Sequence, residues 1–273
     1  MRITVLSVPS TEIEAAADRL WTAGARAVEE TAVADAVELR TVLSTDDAIS
    51  LARLGELPAE WTVTFIDVDD LPAESWRDHV EPVEINDELT LRPAWLPQSS
   101  DPPGAVVVEI EPAGSFGLGD HPTTRLSADA VWRLVRPGDR VLDAGCGSGV
   151  LSIIAALRGA RQVVAVDVAE AAYEATCANA ARNGVDDVID VATTPVGDLD
   201  GVFDLVVANI LAPTLIALAD DLRRLTELGG RLVISGVLAE SHDHVIEALA
   251  PMQVTCTDVH DGWAAVEFAH PQS

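Results

Sequence analysis

The 273-residue chain predicts an α/β fold, in which a mostly parallel sheet is covered by helices on both faces and follows a small α+β domain. Three observations predict it. A strand, a glycine-rich turn and a helix follow one another from Val141 to Leu157; continuous apolar strands then alternate with helices; and residues 1–66 show a separate βαββαβ order. Strands of a sheet buried on both faces read as apolar runs, which is the pattern here.

In chain order, Arg2 to Val8 reads as a strand, and Ser10-Thr11-Glu12 opens a helix to about Gly24 with a hydroxyl cap and an acidic first turn. Strands are expected at 26–33 and 36–43, a helix from Ser44 or Thr45 to Leu54, and a last strand from Glu60 to Ile66. That order suggests a ferredoxin-like sandwich over 1–66, a fold that specifies no function. It holds no glycine loop or nucleophile cluster, which favours docking over catalysis. Residues 67–104 read as a linker and connecting segment, acidic at Asp67 to Pro72, with Trp76-Arg77-Asp78-His79, a strand at Leu89 to Arg92 and a turn through Pro97, Pro102 and Pro103. The larger domain, 105–273, starts with a strand at Val106 to Ile110. A loop from Glu111 to Thr124 follows, then a helix from about Arg125 to Leu134. An irregular loop of glycines, hydroxyls and an imidazole is costly to order unless it touches a ligand, so it reads as a wall or lid.

The centre of the larger domain is Asp143-Ala144-Gly145-Cys146-Gly147-Ser148-Gly149, followed by an apolar helix that Gly159 stops. Alternate glycines admit backbone conformations closed to other residues and let a ligand approach. The next strand, Gln162 to Val166, ends at Asp167. A carboxylate about 20 residues beyond such a loop, at a strand tip, is where these sheets grip ribose hydroxyls. Val150 stands where a dinucleotide fingerprint needs a third glycine for a pyrophosphate. An acidic residue, Gly-x-Gly-x-Gly and an acidic strand end together resemble the pattern of methyltransferases that use S-adenosylmethionine, a nucleoside ligand without phosphate. The bland alternative is a tight turn beside a solvated aspartate.

Further on come a helix at 169–182 stopped by Asn183-Gly184, strands at 188–192 and 203–208, and Asn209-Ile210-Leu211-Ala212-Pro213 at the second strand's tip. A helix to about Leu225, a Gly229-Gly230 turn, a strand at 231–235 and a helix at 240–249 lead to a terminal strand pair, 253–259 and 263–268, which forms an antiparallel edge. Ligands of such sheets sit beyond the strand C-termini, where the glycine loop, Asp167 and Asn209 converge.

Composition excludes several classes. A formal charge of −28, from 45 acidic and 17 basic residues, repels nucleic acid and suits either a basic partner or a solubilising surface. The longest uncharged apolar run, Leu205 to Ala219, is shorter than the ~18 residues of a membrane span. The run Ile3 to Val8 is shorter than a signal-peptide core of about 7 to 15 residues, so a cytoplasmic protein is expected. Cys146, Cys177 and Cys256 show neither disulfide nor zinc spacing, and His242 and His244 read as a solvated helix start, so no metal is expected.

With these pieces placed, the chain resembles the PrmA family, the methyltransferases of large-subunit ribosomal protein L-eleven. The resemblance rests on Phe116-Gly117-x-Gly119-x-His121-x-Thr123-Thr124, the Asp143 to Gly149 loop, the Asn179 to Gly184 helix end and Asn209-Ile210-Leu211-Ala212. It extends over the Trp76 to Trp95 connector and Gly262-Trp263, whereas residues 1–66 match in size and topology. It implies a Rossmann-like class I S-adenosylmethionine-dependent methyltransferase domain behind an N-terminal domain that recognises a basic, ribosomal protein substrate. Its targets are lysine side chains or the N-terminal amine. Thr124, Gly145, Asp167 and Asn209 are then expected to contact S-adenosylmethionine, with Gly147 shaping the loop. For catalysis, Asn209 is expected to aim the amine at the methyl group, and His121 either to assist proton removal or to anchor its loop. Leu118 replaces the family's usual threonine and Pro112-Ala113 its usual Pro-Gly, removing a hydroxyl and a hinge. The rival readings are an enzyme of the same chemistry acting on another protein lysine or a small amine, and a non-catalytic cofactor-binding interaction protein.

Overall fold

The computed structural model describes residues 2–25, 28–33, 36–44, 46–67, 80–111 and 119–271, so Trp76-Arg77-Asp78-His79 at the start of the connector and the Pro112 to Leu118 stretch lie outside the described residues. The chain divides into two compact units, Met1–Val80 and Glu81–Ser273.

The first unit runs β1 (Arg2–Pro9), a 3-10 turn (Ser10–Glu12), α1 (Ile13–Thr22), β2 (Glu29–Val33), β3 (Ala36–Thr41), α2 (Asp47–Leu54) and β4 (Thr62–Asp67). Its antiparallel sheet has the order β2-β3-β1-β4, so the expected βαββαβ order is present. Ala16, Ala17 and Leu20 share one face of α1, which is why that helix packs on Leu6, Val8 and Leu39 of the sheet. Helix α2 begins later than expected because Asp46 caps it, with Oδ1 accepting the N–H of Ala48 at 2.8 Å and of Ile49 at 3.2 Å.

The second unit opens with a three-stranded sheet, β5 (Val83–Asn86), β6 (Leu89–Pro93) and β7 (Val106–Ile110), so the segment read as a connector carries strands that pair with β7. Then follow α3 (Pro122–Leu134), β8 (Arg140–Ala144), α4 (Val150–Leu157), β9 (Gln162–Val166), α5 (Glu170–Arg182), β10 (Ile189–Ala192) and β11 (Phe203–Asn209). The chain continues through α6 (Ala212–Ala217), α7 (Ala219–Leu225), β12 (Thr226–Leu238), α8 (Asp243–Ala248), β13 (Gln253–His260) and β14 (Trp263–Ala269).

The large sheet has the order β10-β9-β8-β11-β12-β14-β13. Pairs from β10 to β12 are parallel, and β14 and β13 add the antiparallel edge. Side chains alternate between two cores, as a period of two requires. Val141, Leu205 and Val207 face the core shared with α3 and α4, while Leu142, Val206 and Ala208 face the one shared with α6, α7 and α8. Strand order reverses between β8 and β11, which leaves a crevice beyond their C-terminal ends. That crevice positions the site.

Two further elements of this sheet and its helices differ from expectation. The helix after Pro213 breaks at Leu218 into α6 and α7, and Gly229-Gly230 lies inside β12 rather than before it. There the register jumps from Phe203↔Thr226 to Leu205↔Arg231, and a Cβ on Gly230 would lie 2.7 Å from Asp204 O, so the glycine serves a bulge. Among the described residues no helix is long and apolar enough to cross a membrane.

Candidate functional site

The glycine loop runs from the tip of β8 into α4 and hydrogen-bonds to the tip of β9. Gly145 (φ 83°), Gly147 (φ 55°) and Gly149 (φ 80°) are all left-handed. A Cβ on Gly145 would lie 2.4 Å from Ile210 Cγ2, and one on Gly149 would lie 2.7 Å from Thr176 Cγ2. Conformation and close approach therefore both demand glycine. Val166 O accepts the N–H of Gly145 at 2.8 Å and of Cys146 at 3.1 Å. Asp167 Oδ2 accepts the Gly147 N–H at 3.1 Å, and its Oδ1 accepts the Ala169 N–H at 2.9 Å. Each oxygen of this half-buried carboxylate retains acceptor capacity for a ligand hydroxyl.

Beneath the loop, Asp143 is 1% exposed. Its Oδ2 accepts Ser152 Oγ at 2.6 Å and Ser152 N–H at 3.1 Å, while its Oδ1 has no partner among the described residues. Burial pushes the carboxyl up to about 6 against the pull of the Ser152 hydrogen bonds, with the Asp167 charge adding to the rise. Burial also raises the Cys146 thiol, so this cysteine is no thiolate nucleophile.

Across the crevice, Asn209 ends β11 and pairs in register with Ser235 of β12. The Ser235 hydroxyl lies 3.0 Å from Ala264 O and 3.4 Å from Thr123 O, which brings the start of α3 to the same strand tips. Helix α3 starts at Pro122 rather than near Arg125, because His121 is its N-cap. His121 Nδ1 accepts the Thr123 N–H at 3.3 Å and lies 2.8 Å from Thr123 Oγ1, and the ring meets Trp263 edge-on at 5.1 Å. Burial lowers its pKa, opposed by Asp120. These contacts tie the His121 ring to the start of α3 and to Trp263. Thr124, 1% exposed, leaves its Oγ1 without a partner among the described residues. The half-buried Asn209 side chain makes no hydrogen bond with them either, and Leu211, the N-cap of α6, provides no side-chain cap.

All six residues expected at the site thus gather at one edge of the sheet. Gly147 touches Asp167, Gly145 approaches the residue after Asn209, and Ser235 links Asn209 to the turn of helix that holds His121 and Thr124. Sequence reasoning noted Asp143 as part of the loop but not as a buried group with an open oxygen. Elsewhere, Cys256, Asp258 and Glu267 lie within metal-ligand reach of one another. The Arg133 guanidinium already binds two of them, Asp258 at 2.9 Å and Glu267 at 2.8 Å, and supplies the positive charge.

This strand order, with a glycine loop at the switch point and a carboxylate at the next strand tip, defines a Rossmann-like class I methyltransferase domain, here with a small ferredoxin-like unit before it. The family model described as ribosomal protein L11 methyltransferase (PrmA) matches residues 5–271, and the chain belongs to that family. A ribosomal protein L11 methyltransferase of Geobacter sulfurreducens is 44% identical over 186 residues, 68% of this chain and 60% of the relative. One of Geobacter metallireducens is 40% identical over 201 residues, 74% of this chain and 66% of the relative. The crystal structure of a ribosomal protein L11 methylase from Lactobacillus delbrueckii subsp. bulgaricus matches with a TM-score of 0.65 at 30% identity, over 71% of this chain and all of that one. The chain therefore spans about three fifths to two thirds of the length of the two Geobacter relatives.

Proposed function

We propose that the chain is a cytoplasmic S-adenosylmethionine-dependent protein methyltransferase acting on amino groups of a ribosomal protein, lysine side chains, the N-terminal amine or both. The observation that carries this reading is the side chain of Asn209, half-buried at the β11 tip beside the glycine loop and without a hydrogen bond among the described residues. The site fits the cofactor: a loop whose three glycines are left-handed and leave its backbone bare of Cβ atoms, and two buried oxygens, Asp143 Oδ1 and Thr124 Oγ1, with open hydrogen-bonding capacity among the described residues. Gly145, Gly147, Asp167, Thr124 and Asn209 would hold it, Asp167 through the ribose hydroxyls. The cofactor supplies an electrophilic methyl group on a sulfonium.

The protein's own part is to hold the acceptor amine neutral and aimed. A lysine amine, with a reference pKa near 10.4, sheds its proton to water, and a dry pocket favours the neutral form. The Asn209 side-chain oxygen then accepts an amine hydrogen and points the lone pair toward the methyl group. In-line displacement needs no covalent nucleophile, so alignment is the main demand. The acidic surface, −28 overall, attracts a basic partner, and the N-terminal α+β unit serves to dock it.

The test is transfer of labelled methyl groups in a lysate, with and without added ribosomal proteins. All 17 basic residues of the chain are arginine, so label on a lysine comes from the substrate. Incorporation into one ribosomal protein is expected. Binding of S-adenosylmethionine with no transfer to any protein would sink the reading.

A further inference from the structure

Helix α5 grips the glycine loop from behind. Thr176 Oγ1 donates to Gly147 O at 3.1 Å, and one turn later Asn179 Nδ2 donates to Ser148 O at 2.9 Å. Asn179, 0% exposed, also reaches outward. The other Nδ2 hydrogen goes to Glu111 O at 2.8 Å, and Oδ1 accepts the Glu111 N–H at 2.9 Å. That two-bond pairing is what a neighbouring strand would make. Asn183 repeats it one turn on, with Oδ1 accepting the Glu109 N–H at 2.9 Å and Nδ2 donating to Glu109 O at 2.7 Å and to Asn179 O at 2.8 Å. Reversing either amide would set its oxygen against carbonyl oxygens, so the orientation follows from the partners.

Two asparagines four residues apart thus replace a strand along the edge of β7. They differ in one respect. Only Asn179 also holds the glycine loop, and Glu111 opens the run of chain that leads to Gly119, His121 and Thr124. One buried amide therefore ties the loop expected to carry the methyl donor to Glu111, the residue that follows β7.

We infer that Asn179 is a positioning residue for methyl transfer, fixing the spacing between the glycine loop and Glu111, where the chain leaves β7. The inference rests on the proposed function of the site. A displacement of about 1 Å between reacting groups can cost on the order of a hundredfold in rate, whereas the same displacement leaves most of a cofactor's contacts in place.

Asn183→Ala is the internal control, since it breaks the same kind of strand pairing without touching the glycine loop. Melting temperature, S-adenosylmethionine affinity by calorimetry and single-turnover transfer to ribosomal protein L11 at saturating cofactor are measured on the full chain. Both alanine variants should melt lower by similar amounts. Only Asn179→Ala should slow transfer, by about a hundredfold, with cofactor affinity changed less than the rate. Asn179→Asp adds a signature that simple destabilisation would not give. It keeps the acceptor for the Glu111 N–H and loses both donors when ionised, and protonation returns one of them. Its rate relative to wild type should therefore rise as pH falls, and this variant serves if the alanine protein does not fold. Equal transfer rates for Asn179→Ala and Asn183→Ala, or a pH-independent Asn179→Asp ratio, would overturn the inference alone. A wild-type chain that transfers nothing would overturn it together with the proposed function.

Discussion

The two sides of the crevice treat their polar groups differently. On the α5 side these groups at the loop have protein partners: Asp167 accepts two backbone N–H groups, and the carbonyls of Gly147 and Ser148 accept from Thr176 and Asn179. On the side built from β8, β11 and the start of α3, Asp143 Oδ1, Thr124 Oγ1 and the Asn209 side chain have none among the described residues. Groups of the first kind stabilise the fold and shape the loop. Groups of the second kind cost stability in the chain alone and repay it when a ligand supplies the missing hydrogen bond. The contrast makes opposite predictions for the two sides. Substitution of the cofactor-facing Asp167 on the saturated side should lower stability and binding together, and substitutions on the open side should separate them.

The largest effect is expected at Asp143. Its folded-state pKa, about 6 against a usual 3.8, is raised, so the folded state binds the proton more tightly than the unfolded state. Stability from this group is therefore full below about pH 4 and is lost as pH rises through about 6, a total of roughly 3 kcal/mol for a shift of about two units. Asp143→Asn removes that slope, so the variant should gain on wild type between pH 4 and 6, whatever constant offset its amide adds. Urea unfolding of the cofactor-free protein across this range reads the difference. Parallel stability curves would place Asp143 on the saturated side.

Asn209→Ala should come next, slowing single-turnover methyl transfer by about a hundredfold while leaving the fold intact, because the side chain makes no hydrogen bond among the described residues. A strand-end cap would behave in the reverse way. Loss of ~1 kcal/mol of stability with a wild-type transfer rate would remove Asn209 from the amine site.

Asp167→Ala tests the saturated side. Charge-assisted hydrogen bonds to ribose hydroxyls are worth roughly 1.5–3 kcal/mol each, so affinity for S-adenosylmethionine should fall at least about tenfold. Because Asp167 also restrains Gly147 and Ala169, the melting temperature should fall with it. Calorimetry showing unchanged affinity in a folded variant would remove Asp167 from the cofactor site, and a fall in affinity without a fall in stability would erase the contrast between the two sides.

How much of this was legible in the sequence follows from how local each signal is. The glycine loop was readable because its demand is local: strand, left-handed glycines and helix occupy one continuous stretch. Asp167 was readable for the same reason, one strand further on. Asn209 and Thr124 drew attention mainly through family resemblance, since what matters about them is a juxtaposition made by Ser235 and Thr123, 112 residues apart. Strand β5 escaped notice because four residues with alternating polarity acquire meaning only when β6 pairs with them. The break between α6 and α7 lies at Leu218, with neither glycine nor proline to mark it.

The smallest expected effect is the sharpest separation of the two sides. Thr124 sits in the first turn of α3 with a buried hydroxyl whose oxygen bonds to nothing among the described residues. Valine has nearly the same shape and helix propensity, so Thr124→Val changes little except to replace that hydroxyl by a methyl group. In the cofactor-free chain, removing a buried unsatisfied polar group should raise stability by about 1 kcal/mol. If the hydroxyl contacts S-adenosylmethionine, the same change deletes a hydrogen bond worth about 0.5–1.5 kcal/mol, so affinity should fall by roughly threefold to tenfold. The two readouts move in opposite directions, which neither a folding defect nor a general loosening of α3 can produce. Thermal unfolding without ligand and calorimetric titration with it measure the pair. A variant that is both less stable and weaker in binding would show that the hydroxyl is held within the protein, and Thr124 would join the saturated side.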